Sequence, residues 1–300
     1  MVQPQKILIT GAAGFVGTAL CRKLHHQGFA LRVVMRRGGS CLPEDLICDL
    51  DDVIEVADIM DDSAWSDLLV GVDRVVHLAG RAYTGGQSTA ADLYFRDNLD
   101  VTVALARAVL AARVKQFIFV STIKVNGEGV LKPDHHHPYK VSDRPRPRGA
   151  YAVSKWRAEQ ELNSLFDCAG APELVILRPP MIYGDAVKGN SAFLQKWLFW
   201  GLPLPVPRNG NRRSLLALEN LLEIITDLLS GTVRADSKLL LPCDQKEWST
   251  ERLAKYLAIK AGCRARILAV PGSLMFGLMA IINRDNFLVK IYGSLRIEKD

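Results

Sequence analysis

No Cys-x-x-Cys pair occurs among the six cysteines, at positions 21, 41, 48, 168, 243 and 263. Scattered in this way, several in apolar contexts, they exclude a disulfide framework and read as reduced, packed thiols of a cytoplasmic protein. Long apolar runs are missing too. The longest, Ser273-Leu-Met-Phe-Gly-Leu-Met-Ala-Ile-Ile282, falls well short of the roughly 20 residues of a membrane span and reads as a core or lobe-packing helix. Met1-Val-Gln-Pro-Gln-Lys6 leads straight into a predicted strand, which leaves no room for a signal peptide. Concentrated charge is equally scarce. The net charge of +6 is dispersed except at Arg36-Arg37, Arg144-Pro-Arg-Pro-Arg148 and Arg212-Arg213. With no nucleic-acid motif beside them, these clusters fit anionic small molecules near a cleft better than nucleic acid. No metal site is expected: His135-His136-His137 point in divergent directions, and no carboxylate or cysteine ligand set accompanies them. What remains is a globular chain of 300 residues, 49% hydrophobic and 23% charged, long enough for one large α/β domain or two lobes sharing an interface.

The residues that are present organise around Lys6-Ile-Leu-Ile-Thr-Gly-Ala-Ala-Gly-Phe-Val-Gly17. Ile7 to Thr10 read as a buried strand, and Ala12 onward has the composition and apolar spacing of an amphipathic helix. Gly11 lets the chain turn sharply off the strand, Gly14 lets backbone N–H groups approach a pyrophosphate, and Gly17 lets the helix pack closely on the sheet. A helix N-terminus is thereby presented to an anion. The spacing is Gly-x-x-Gly-x-x-Gly, not the commoner Gly-x-Gly-x-x-Gly. Its place between strand and helix is what favours a dinucleotide site over a merely structural turn.

Ala30-Leu-Arg-Val-Val-Met35 reads as a second strand and ends in Arg36-Arg37-Gly-Gly. In dinucleotide folds an acid here selects NAD, whereas an arginine accommodates the 2′-phosphate of NADP. No acid accompanies Arg36 and Arg37, so NADP(H) is favoured over NAD(H); solvated loop arginines are the alternative. Val53-Ile-Glu-Val-Ala-Asp58-Ile59 reads as a strand whose Asp58 either accepts from an adenine amino group or caps the helix after it. Asp73-Arg-Val-Val-His-Leu-Ala-Gly80 is a fourth strand entering a small-residue turn, with His77 satisfied by its neighbours. A long amphipathic helix is predicted over 101–112, opened by Asp97-Asn98. Gln116-Phe-Ile-Phe-Val-Ser121-Thr122 is a fifth strand with hydroxyls at its carboxyl end, where open parallel sheets place their chemistry. A long loop over 125–149 follows.

Ala150-Tyr151-Ala-Val-Ser-Lys155 sets a tyrosine and a lysine one helical turn apart, on one face. A neighbouring ammonium favours the phenolate and lowers the phenol pKa, which suits proton transfer near neutral pH. With the glycine turn and Thr122, this pair resembles the extended short-chain dehydrogenase/reductase family, also called the NAD-dependent epimerase/dehydratase family of nucleotide-sugar enzymes. The resemblance covers nearly the whole chain, through Thr10-Gly-Ala-Ala-Gly-Phe-Val-Gly17, Asp58, His77-Leu-Ala-Gly80, Asn98, Ser121-Thr122, Tyr151 with Lys155, and Leu177-Arg-Pro-Pro-Met-Ile-Tyr-Gly184. It implies an α/β, Rossmann-like, doubly wound parallel sheet over 1–178 and a smaller mixed substrate lobe over 179–300, with 214–246 returning to the first lobe. It also implies roles. Tyr151 is the acid/base, Lys155 binds the nicotinamide ribose and tunes Tyr151, and Thr122 hydrogen-bonds the reacting sugar oxygen. Gly11, Gly14, Phe15, Val16 and Gly17 surround the pyrophosphate, with Arg36 and Arg37 at the ribose and Asp58 and Ile59 at adenine. Leu78, Ala79, Gly80, Asn98, Val120, Ser121 and Pro179 complete the cofactor set. Arg81, Lys124, Met181, Lys188, Asn190 and Arg213 are the implied substrate contacts, with Lys188, Asn190 and Arg213 at the nucleotide diphosphate.

Departures from the family narrow the reaction. Ile123-Lys124 stands where the related 4,6-dehydratases carry Asp-Glu, which disfavours dehydration, and Met181 stands where many relatives have Asn. Relatives usually continue beyond Arg296-Ile-Glu-Lys-Asp300, so the substrate lobe is expected to be either truncated or short. Ser121-Thr-Ile-Lys-Val-Asn-Gly-Glu128 and Tyr183-Gly-Asp-Ala-Val-Lys-Gly-Asn190 resemble a branch that includes reductases of UDP-4-keto-6-deoxy-N-acetylhexosamines. The expectation is an oxidoreductase acting at C4 of a UDP-hexose, a 4-ketoreductase in preference to a 4-epimerase. A non-catalytic dinucleotide-sensing or scaffold protein is the alternative of another class. A homodimer through the helices after Asp97 and Tyr151 is the association that relatives often show.

Overall fold

Short β-branched and apolar runs become strands of a parallel sheet covered on both faces, which is why they read as continuous hydrophobic stretches. The computed structural model describes residues 5–39, 41–50, 52–56, 62–82, 91–130, 137–184, 198, 200–207, 210–232, 238–271 and 293–299. β1 (Lys6–Thr10), β2 (Ala30–Arg36), β3 (Val53–Val56), β4 (Arg74–His77), β5 (Gln116–Val120) and β6 (Glu173–Leu177) follow in the chain. β7 (Met181–Tyr183), β8 (Leu204–Pro207) and β9 (Leu215–Ala217) lie outside their sheet, and β10 (Leu239–Leu240) rejoins it. The seven-stranded order is β10-β6-β5-β4-β1-β2-β3, parallel throughout. The doubly wound reading is borne out.

Alternation along β1 divides the core. Ile7 and Ile9 face one layer, where they meet Leu20 and Leu24 of α1 (Phe15–His26). Leu8 faces the other, with Phe117, Phe119 and Trp65. α2 (Glu44–Asp49) flanks α1, and α3 (Asp62–Leu68) supports the opposite face. The helix predicted over 101–112 is longer and interrupted: α4 (Ala91–Phe95) passes through a π-turn (Arg96–Asp100) into α5 (Val101–Ala111). Local polarity at 96–100 reads as a helix start, whereas tertiary partners hold those residues inside one helix. α6 (Gly149–Leu165) packs beside it, and α7 (Leu218–Ser230) lies against α1. α7 buries Leu221, Leu222, Ile225, Leu228 and Leu229 on one stripe, an amphipathic spacing.

α8 (Thr250–Lys260) and the parallel pair β8 with β11 (Ile267–Val270) form a second core with Leu198, Trp248 and Leu257. Residues near the end of the chain bridge back to Val130, Tyr139 and Arg213. The packed reading of the cysteines holds for Cys21, whose thiol burial pushes up to about 12. It fails for Cys41, Cys48 and Cys168, which face solvent. All six thiols are free. Among the described residues no helix is long and apolar enough to cross a membrane; the 273–282 run lies outside them.

Candidate active site

The glycine turn opens the carboxyl edge of β1. Gly11 has φ +73°, and a Cβ there would stand 2.5 Å from the Ala79 nitrogen, so the turn and the strand end after β4 touch backbone to backbone. At Gly17 a Cβ would stand 2.3 Å from the Gly11 carbonyl oxygen, which makes glycine obligatory for the α1 packing. Gly14 differs. Its Cβ direction meets only the Gly11 carbonyl, at 3.1 Å, and α1 begins there without a capping side chain. Backbone N–H groups at an uncapped helix start suit a pyrophosphate, so these residues fit a dinucleotide. Phe15, Val16, Leu78 and Ala79 are half-buried around the turn, and Arg36 and Arg37 are exposed at the end of β2.

A directional hydrogen-bond chain runs behind this turn. Thr102 Oγ1 donates to the Asn98 carbonyl at 2.8 Å, so toward His77 Nε2, at 2.9 Å, it can only accept. His77 therefore carries its proton on Nε2, and Nδ1 accepts from Thr10 Oγ1 at 2.7 Å. Thr10 in turn accepts from the Ala79 N–H at 3.3 Å. The chain closes only on a neutral imidazole. Burial, with the nearby Lys155 charge, pushes His77 down to about 3. In the π-turn, Asn98 accepts from the Arg81 N–H at 2.7 Å and donates to Ser154 at 3.0 Å. The Arg81 side chain is paired with Asp97, at 2.8 Å.

Thr122 closes β5 and Tyr151 opens α6. Thr122 Oγ1 accepts the Lys124 N–H at 3.3 Å and is hydrogen-bonded to the Tyr151 phenol. Burial holds the Tyr151 pKa above the ordinary phenol value; the Thr122 bond opposes this, while Tyr94 and Glu128 add to it. This differs from the ammonium-lowered phenol of the sequence reading because burial outweighs what lowers the pKa, and Lys155 is engaged elsewhere. Its Nζ donates to the Val120 carbonyl at 3.0 Å and lies 4.5 Å from the Phe119 ring centre. Burial pushes the ammonium itself down to about 8, with Glu159 opposing. Gly80 borders the same space: a Cβ there would stand 3.3 Å from Lys155 Nζ and 2.7 Å from Asn98 Oδ1.

On the substrate side, Lys124 is paired with Glu128 at 2.9 Å. Burial lowers the Arg213 guanidinium to about 10 against the raising effect of Glu128. Glu128 is thus paired with Lys124, and its charge acts on Tyr151 and Arg213, an influence its sequence spacing does not announce. Met181 is half-buried and packs against the second core. Pro179 is buried, and its carbonyl accepts the Ile123 N–H at 3.0 Å. Ser121 turns its hydroxyl to Glu159, which Arg178 also holds. Glu159 continues the Tyr151–Lys155 face by one more turn, a periodic signal that was available in the sequence. Asp58, Ile59, Lys188, Asn190, His135 and His136 lie outside the described residues.

A doubly wound sheet, a glycine-lined first turn, and Thr122, Tyr151 and Lys155 gathered at the strand ends define the extended short-chain dehydrogenase/reductase class. The family described as NAD dependent epimerase/dehydratase matches residues 7–200, and the chain belongs to it. A UDP-glucose 4-epimerase of Vibrio cholerae is 32% identical, the alignment covering 98% of this chain and 88% of that protein. An N-acetyl-α-D-glucosaminyl-diphospho-ditrans,octacis-undecaprenol 4-epimerase of Escherichia coli O157:H7 is 31% identical over 98% of this chain and 84% of its own length. Among solved structures, UDP-glucuronic acid 4-epimerase from Bacillus cereus in complex with NAD superposes with a TM-score of 0.70 at 24% identity, covering 88% of each chain.

Proposed function

We propose that this chain is a nicotinamide-dinucleotide-dependent oxidoreductase acting at C4 of a UDP-hexose. The observation that carries the reading is the convergence of Tyr151 at the start of α6 with Thr122 just past β5, and Lys155 pinned one turn below by the Val120 carbonyl. Gly11, Gly14 and the start of α1 would hold the pyrophosphate, and Lys155 the nicotinamide ribose. The bound dinucleotide supplies the hydride exchange. The chain's own residues handle the proton: Tyr151 gives one to, or takes one from, the oxygen on C4, and Thr122 fixes that oxygen. Because Thr122 Oγ1 accepts the Lys124 N–H, its hydroxyl proton stays available for donation. Arg213 would carry the nucleotide diphosphate, since an arginine fork suits phosphate oxygens.

Reduction of a UDP-4-keto-6-deoxy-N-acetylhexosamine is the preferred direction. Arg36 and Arg37 at the end of β2 suit a phosphorylated ribose. Epimerisation at C4 is the second reading, favoured by the two curated relatives, which are 4-epimerases. NADPH consumption with UDP-4-keto-6-deoxy-GlcNAc, beside UDP-Glc/UDP-Gal interconversion without added cofactor, separates the two. In whichever assay is positive, Tyr151→Phe is expected to lower turnover about 10²–10⁴-fold. Full turnover in that variant would remove Tyr151 from the chemistry.

A further inference from the structure

Glu159 stands on the face of α6 that carries Tyr151 and Lys155, one turn beyond the ammonium and two beyond the phenol, with 1% of its surface exposed. A carboxylate at this depth is costly unless it is paired and hydrogen-bonded. Arg178, 2% exposed just past the end of β6, meets it through Nε at 3.0 Å to both oxygens and through a second nitrogen. The guanidinium also donates to Asn126 Oδ1 at 2.8 Å and lies 5.5 Å from the Trp156 ring centre. Ser121 donates its hydroxyl to the same carboxylate. Ser121 and Asn126 bracket Thr122 and Lys124, so one buried ion pair ties together α6, the end of β6 and the loop that presents Thr122.

We propose that Glu159 is a positioning residue: fixed by Arg178 and Ser121, it supplies the counter-charge that holds Lys155 as an ammonium at the floor of the site. This rests on the assignment of Tyr151, Thr122 and Lys155 as the proton-handling set. Among the described residues, Lys155 shares its helix face with the Tyr151 phenol and is met from three further elements. β5 offers the Val120 carbonyl and the Phe119 ring, and β4 the neutral His77. The π-turn offers the Asn98 amide across Gly80. Glu159 is the charge that favours the ammonium against burial. Around Glu159 itself stand Arg178 and Ser121. Replacing its carboxylate with an amide removes the counter-charge and leaves the Arg178 guanidinium without its ion-pair partner. Both effects disfavour a second cation nearby.

The test reads Lys155 directly, without turnover, by NMR titration of ¹³Cε-labelled lysine, with the resonance assigned by its loss in Lys155→Met. Glu159→Gln is expected to lower the Lys155 midpoint by about one pH unit. Glu159→Asp, which keeps the charge, is expected to stay near wild type. Glu159→Gln combined with Arg178→Gln buries no stranded charge and is expected to fall between wild type and the single variant. That double variant also serves if Glu159→Gln does not fold, because replacing both partners of a buried pair is tolerated better than breaking it. A wild-type midpoint in either amide variant overturns the proposal. Turnover of Tyr151→Phe tests the underlying assignment separately, since activity retained there leaves the Lys155 titration unaffected.

Discussion

His77 shows how one residue couples pH to stability. Folded, it is held at about 3; unfolded, an imidazole titrates near 6.5. Between those values the unfolded chain binds a proton that the folded chain refuses, so stability falls as the pH falls. Above about pH 6.5 the contribution is complete, and below it the loss is about 1.4 kcal/mol per pH unit. Urea unfolding is therefore expected to lose about 2 kcal/mol between pH 6.5 and pH 5 on this account, and His77→Gln is expected to flatten that slope. An unchanged slope in the variant would place the acid sensitivity elsewhere. Glu159 and Glu128 teach a related lesson. Their residue types are ordinary in the sequence, and their roles come from the charges brought to them by β6, the loop after β5 and Arg213.

At the scale of elements, α7 has the clearest consequence. It starts long after the strands it covers, yet its apolar stripe joins the core of α1 and β1. Ile225, fully buried, sits in the middle of that stripe. Ile225→Ala is expected to cost about 2–5 kcal/mol, read as a lower denaturant midpoint with an unchanged slope. Surface position 223, Glu on the same helix and exposed, supplies the control, where alanine should be nearly neutral. The π-turn makes the complementary point. Its residues 96–100 look like the polar opening of a helix, and a helix starting at 101 is the local reading. The Arg81, Ser154 and Thr102 hydrogen bonds keep Asn98 buried within a longer helix, and neither Arg81 nor Ser154 is visible to a local pattern.

For the whole molecule, ligand binding to the folded chain alone raises its stability by mass action, about 2.7 kcal/mol at one hundred times Kd. The cofactor preference is testable in those terms, with no substrate in hand. NADPH is expected to raise the melting temperature more than an equal concentration of NADH, and Arg36→Ala with Arg37→Ala is expected to abolish the difference. Equal shifts from both nucleotides in the wild-type chain would remove the arginine argument and leave Gly11, Gly14 and α1 as the dinucleotide contacts.

The strands, the glycine turn and the shared face of Tyr151 and Lys155 were legible because each depends on a local period, two residues in a strand and 3.6 in a helix. The same periods divide Ile7 and Ile9 from Leu8 between the two layers. What the tertiary structure alone decided is which distant groups share the buried space around those residues. The direction of Lys155 toward Val120, the raised phenol of Tyr151, the neutral His77 and the Glu159–Arg178 pair all follow from desolvation and from charges far apart in the chain. A sequence pattern carries periodicity. It does not carry the distances and the dielectric on which such interactions depend.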